Sequence, residues 1–307
     1  MTIIQSLLLM VFGAISQGVL WGIMTLGVYI TYKVLDYADL TVDGSFATGG
    51  AVSAVLVVNG VNPFLSMLFA LIAGCIAGCA TGILHTKLKI PAILSGILSQ
   101  LALYSINIRI MGKPNTPLLG VNTVVSEIKK WFPSFSDNTI ALLLGVIVTT
   151  VVIAVMYWLF GTEIGCCIRA TGNNEYMVRA LGGNTDAMKI IGLMLSNGIV
   201  ALSGAMVSQT QGYADVSMGI GAIVMGLASV IIGEVMMGKR FNFAYKLASV
   251  VIGSIVYRII IAVVLHFGMN TTDLKLLTAV IVAIALSVPV FKSKFQIGKF
   301  SPKQAVK

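Results

Sequence analysis

Five ionisable side chains stand where the chain is otherwise apolar: Asp39, Asp43, Asp215, Glu234 and Arg258. Two of the acids close the same triplet, Tyr37-Ala38-Asp39 and Tyr213-Ala214-Asp215, and each triplet follows a long apolar run. Carboxylates beside hydroxyls, as in Asp39, Thr41, Asp43 and Ser45 or in Asp215 and Ser217, can do two things inside a membrane. They can accept the free N–H groups at the start of a helix, or they can face a polar solute or ion. Glu234 and Arg258 carry opposite charge, and pairing is the cheapest use of a membrane arginine, so these two are expected to meet. Thr48, Ser53, Asn107 and Ser229 could line a polar path, although Ser and Thr in such helices commonly bond their own backbone.

Nothing points to covalent or metal chemistry. The chain has only His85 and His266, and its cysteines, Cys75, Cys79 and the adjacent Cys166 and Cys167, lack zinc-type spacing. A GxxxxGK[ST] phosphate loop is absent from the sequence. No nucleophile and base fall together.

The elements that hold these residues follow from composition. The 307 residues are 57% hydrophobic and 10% charged, against about 25% charged in a soluble domain. This is an all-α integral membrane protein, with a span for every roughly 20 apolar residues. The apolar runs predict about 8–9 transmembrane helices, near residues 14–32, 45–58, 64–84, 92–111, 140–160, 187–210, 221–237, 245–267 and 276–291. The second and seventh are short, and each directly follows a Tyr-Ala-Asp break. Five crossings separate the two breaks, so a repeat spanning about 14–111 and 187–291 would be inverted, with its broken helices meeting near the middle of the bilayer. Gly74, Gly78 and Gly82, four apart, allow another helix to approach closely, within the chain or at a subunit interface.

The formal charge of +9 does not indicate nucleic acid, because the basic residues sit in short loops and the C-terminal tail. With alternating spans, fourteen Lys and Arg fall on one side and four on the other, which makes the rich side and the C-terminus cytoplasmic. The loop 161–186 then lies in the cytoplasm. Asn174 is placed to cap a two-turn helix from Glu175 to Leu181, Gly182 to stop it, and Asn184 or Thr185 to cap the next span. Tyr176 with Ala180, and Met177 with Leu181, would form one exposed apolar face. Such a helix suits a groove on a partner, or it is an ordinary connection.

The stretch from Gly161 to Met206 resembles the coupling segment of bacterial ABC importer permeases of the branched-chain amino acid and ribose family. The resemblance is carried by Gly165, Arg169, Ala170, Asn174, Glu175, Ala180, Leu181, Gly182, Asn184, Lys189, Ser196, Ala201, Gly204 and Ala205. "DYADLTVDGSFATGGAV" is similar to that family's first broken helix, and "YADLTVDGSF" and "GSIVYRIIIAVVL" look closer to its tryptophan- or tyrosine-type subgroup. The chain departs from the pattern at Arg179, where a small residue is common. The resemblance implies one permease domain in a bacterial plasma membrane, and no catalysis by the chain itself. It implies a second permease copy, two cytoplasmic ABC ATPase subunits that grip residues 175–181 and hold the ATP and Mg, and an external solute-binding protein. The implied solute is an amino acid, aromatic in that subgroup. The alternatives are a sugar or nucleoside, or an ion-coupled secondary transporter, which also uses inverted repeats.

Overall fold

The apolar runs form helices, and the structure, a computed structural model, describes residues 3–237, 242–266, 273, 276–283 and 287. Helix α1 (Ile3–Tyr29) continues into a π-turn (Ile30–Val34). A six-residue break precedes α2 (Thr41–Val58). Helices α3 (Pro63–Thr86) and α4 (Ala92–Met111) follow. Outside the bundle come strand β1 (Asn115–Pro117) and α5 (Val124–Trp131), then α6 (Asp137–Gly161). The loop after α6 holds α7 (Glu163–Asn173) and α8 (Glu175–Ala180). Helix α9 (Thr185–Gln211), strand β2 (Tyr213–Asp215), α10 (Ala222–Met237) and α11 (Phe243–His266) complete the numbered elements.

Seven of these helices are long and apolar enough to cross a membrane, and α10 is a shorter apolar helix of 16 residues. The ninth expected span, 276–291, lies only partly within the described residues, and 276–283 are helical. The expected bounds are met to within a few residues except at the first, where α1 begins at Ile3, eleven residues before the expected start. The first apolar run is one helix, without a separate surface segment.

Burial sorts the helices. About 72% of the apolar window is buried in α1, α2 and α9, against 28% in α4. The central three are therefore packed on all sides, which demands small residues where backbones cross. A methyl on Gly49 would overlap the Ala201 carbonyl, and one on Gly204 the Phe46 carbonyl, so α2 and α9 touch backbone to backbone. Gly74 and Gly78 meet the Asn197 and Leu193 carbonyls of α9 in the same way. The glycine stripe of α3 is thus spent inside the chain. The order α1–break–α2–α3 recurs as α9–break–α10–α11, with α3 packed on α9 as α11 is packed on α1. The breaks are tied by backbone bonds, Tyr37 N to Thr31 O at 2.9 Å in the first and Met218 N to Asp215 O at 3.2 Å in the second.

Candidate functional site: two broken helices and a cytoplasmic helix

At the first break Asp39 is 2% exposed. One carboxylate oxygen accepts the Thr41 N–H at 2.9 Å, which caps α2. The other accepts the Asn197 amide of α9 at 2.7 Å. The Asn197 carbonyl oxygen in turn accepts the Ser45 hydroxyl at 2.6 Å. Thr41 meets Thr81 of α3 at 2.9 Å, and Thr81 donates to Ser99 of α4 at 2.7 Å. Tyr37 reaches the Ser95 hydroxyl at 2.7 Å and stacks edge-on with His85. Four helices therefore share one fully bonded polar cluster, which meets the demand that membrane-buried polar groups be satisfied.

The second break differs. Asp215 accepts the Ser217 N–H at 2.7 Å and the Ser217 hydroxyl, and Asn115 of β1 at 3.4 Å. It closes a turn and does not cap α10, because Gly219 and Gly221 prolong the break and α10 starts only at Ala222. The cap comes from Asp43, one turn into α2, whose oxygens accept Gly221 N at 3.0 Å and Ile223 N at 2.8 Å. The N-termini of the two short helices meet there, a contact across the two halves of the repeat.

The expected pair of Glu234 and Arg258 does not form among the described residues. Glu234 pairs with Lys33 at the end of α1, at 3.0 Å. Gly233 packs on Ser249, so Arg258 lies nine residues farther along α11, about 13 Å at the helical rise. Its guanidinium lies over the Trp21 ring at 4.2 Å, and Trp21 packs on Phe46 at 4.7 Å.

The path candidates divide. Thr48 and Ser229 bond their own backbones at Gly44 and Met225. Ser53 is held by Gln209, which also bonds Ser66, Pro63 O and Val124 N and so ties the outer ends of α2, α3, α5 and α9. Asn107 of α4 is buried with neither amide atom partnered among the described residues. Asn197 and Gln209 were missed from sequence. Their signal is a lone amide in a Ser/Gly/Ala-rich span.

In the loop between α6 and α9 Asn174 accepts Met177 N at 3.0 Å and Asn184 accepts Ala187 N at 3.1 Å, so both expected caps are in place. Gly182 takes φ of +83°, the left-handed stop. Tyr176 and Leu181 are 82% and 80% exposed, and Met177 and Ala180 are exposed beside them. Val178 faces inward. Glu175 accepts Lys189 of α9 at 2.6 Å and pairs with Arg179, which donates to Thr185 at 2.8 Å and reaches Asp186 at 3.4 Å. The Lys189 hydrogen bond holds the Glu175 carboxyl below its usual range against the opposing effect of burial, helped by the positive charges of Lys189 and Arg179. Arg179, the departure from the family pattern, therefore fastens α8 to α9, the helix that carries Asn197.

Residues 10–286 match the family described as branched-chain amino acid transport system / permease component. The tyrosine transport system permease protein of Clostridioides difficile (strain R20291) is 40% identical over 278 residues, 90% of each chain. An uncharacterised protein of Rickettsia prowazekii (strain Madrid E) is 32% identical over 282 residues, 89% of this chain and 95% of its own. The autoinducer 2 import system permease protein LsrC of Yersinia pestis (strain Pestoides F) is 32% identical over 159 residues, 51% of this chain and 42% of its own. The chain belongs to the branched-chain amino acid transport system permease family.

Proposed function

We propose that this ABC importer permease carries an aromatic amino acid of the tyrosine type. Two copies enclose the pathway, two ATPase subunits grip α8 from the cytoplasm, and an external binding protein delivers the solute. The observation that carries the ATPase reading is α8 itself. A two-turn helix leaves Tyr176, Met177 and Leu181 in water while three charged residues pin its base to α9. Uncovered large apolar residues on a fixed segment fit a partner's groove. The solute rests on the 40% relative, which is matched along nine-tenths of both chains, where the sugar-type relative is matched over half of this one.

The second copy is supported by α4. It is the least buried span, yet it carries Tyr104, Ser105, Arg109 and the unpartnered Asn107. A lipid-facing helix has no use for the exposed Tyr104, Ser105 and Arg109, so a second copy would cover that face, while Asn107 is buried within this chain. The secondary-transporter alternative fits less well: Asp39 and Asp43 spend their carboxylate oxygens on N–H donors, as caps do and cation ligands do not. Co-purification of the permease with its ATPase, followed by ATP-dependent uptake of labelled L-tyrosine, tests the reading. Uptake of a sugar in place of tyrosine would replace the solute and leave the permease assignment standing.

A further inference from the structure

A cavity of about 790 Å³ opens between the end of α1, α7, the end of α10 and the start of α11. The basic loop residues place it on the cytoplasmic side. Its walls carry Lys33, Arg169, Lys246, Glu234, Tyr29 and Phe243. Lys33 and Glu234 neutralise one another at 3.0 Å. Among the described residues, Arg169 and Lys246 have no carboxylate within ion-pairing distance. Arg169 lies over the Phe243 ring at 5.4 Å, and Tyr29 packs against the same ring at 6.2 Å. Asp36, at the rim, is exposed with φ of +50°. Two free cations, an acid at the rim, a carboxylate held by a single lysine and an aromatic wall thus surround one space.

We propose that this cavity is a cytoplasmic binding site for a zwitterionic aromatic amino acid. The ligand carboxylate lies between Arg169 and Lys246, where a guanidinium grips it best. The ammonium faces Asp36, Glu234 being paired with Lys33, and the ring lies against Phe243, which Tyr29 backs. A phosphate or a lone anion would use the cations and leave Asp36 at the rim opposed, so the mixed charge favours a zwitterion. The volume lies in the ordinary range of small-molecule sites, about 300–1,000 Å³. One wall is α7, whose last residue, Asn173, lines the cavity and precedes the Asn174 cap of α8. Occupancy would therefore be felt next to the cap of α8. The inference rests on the tyrosine reading for the identity of the ligand.

The test uses the full-length permease in lipid nanodiscs with radiolabelled L-tyrosine. Saturable binding is expected, displaced by unlabelled L-tyrosine but not by N-acetyl-tyrosine amide, which lacks both charges. Arg169→Gln and Lys246→Gln should each weaken binding about tenfold, the scale of one lost charge-assisted contact. Both variants are checked for wild-type helicity and elution volume, and Arg169→Lys should recover part of the loss. Absent saturable binding overturns the proposal, as does binding that neither variant changes, which would put the ligand elsewhere. Tyrosine uptake by the complete importer without permease binding would sink this site alone. Binding without such uptake would sink the solute assignment and leave the site.

Discussion

The two Tyr-Ala-Asp triplets share three letters and not one role. Asp39 is buried and holds both Thr41 N–H and the Asn197 amide, whereas Asp215 is partly exposed and closes a local turn. The substitutions Asp39→Asn and Asp215→Asn are therefore unequal. In Asp39→Asn the new amide keeps the Thr41 bond but turns an N–H₂ toward the N–H₂ of Asn197, an uncompensated pair in a dry site. It should lower stability by about 1–3 kcal/mol, read as a drop in melting temperature in detergent, while Asp215→Asn stays near wild type. Equal shifts would show that the Asn197 bond contributes nothing. Asp43→Ala, which frees the N–H groups of Gly221 and Ile223 at the start of α10, should cost about 1–2 kcal/mol and raise amide exchange at residues 221–223 above that of the rest of α10. These distinctions were only half legible in the sequence. That an acid before a short helix caps it is a local rule, and Asp39 obeys it. The use of Asp43 on α10 joins residues 178 positions apart, and no local rule reaches so far. The pairing of Glu234 with Arg258 failed for the same reason. Charge sign was readable, but the level each residue occupies in the bilayer depends on how α10 and α11 register.

Elements were far more legible than contacts. Hydropathy marked the spans because a lipid-spanning chain has only the helix to satisfy its backbone, and Gly182 and Asn174 marked the ends of α8 because caps are chemically narrow. The helix outside the membrane was not placed well. Helix α5 runs from Val124 to Trp131, between the expected fourth and fifth spans, with Thr123 and Ser126 forming its capping box, and the following Pro133 ends any continuation. The α8 segment supports two predictions. Replacing Tyr176 and Met177 together by Glu should abolish ATPase co-purification while the permease elutes as before; retained ATPase would remove α8 as the docking element. The second concerns pH. The folded Glu175 carboxyl is held below the unfolded value of about 4.3, so its contribution is complete above that value and is lost as pH falls through the lowered one. Protection of the α8 amides, corrected for intrinsic exchange, should therefore fall in acid and be insensitive to pH between neutrality and about 5. Lys189→Gln should flatten the acid response. An unchanged response in that variant would dissociate Glu175 from the fastening of α8.

On the scale of the molecule, coupling has a physical route. The α8 helix is pinned to α9 by Glu175, Arg179 and Lys189, and α9 carries Asn197 to the head of the first broken helix. That helix caps the second through Asp43. On the proposed reading, a displacement of α8 by an ATPase would reach both short helices through α9 rather than through a loop. If a second copy covers α4, as proposed, Leu101→Cys, at a position 64% exposed, should add a dimer band on mild oxidation in membranes that wild type lacks. No added band would place the second copy elsewhere. The central claim is that this chain moves solute only when ATP is hydrolysed by partner subunits. The direct measurement is uptake of L-tyrosine into proteoliposomes holding the permease with its ATPase and binding protein. Uptake that requires internal-face ATP and vanishes with the Tyr176 and Met177 double variant is the predicted result. Uptake by the permease alone, driven by an ion gradient without ATP, would contradict it.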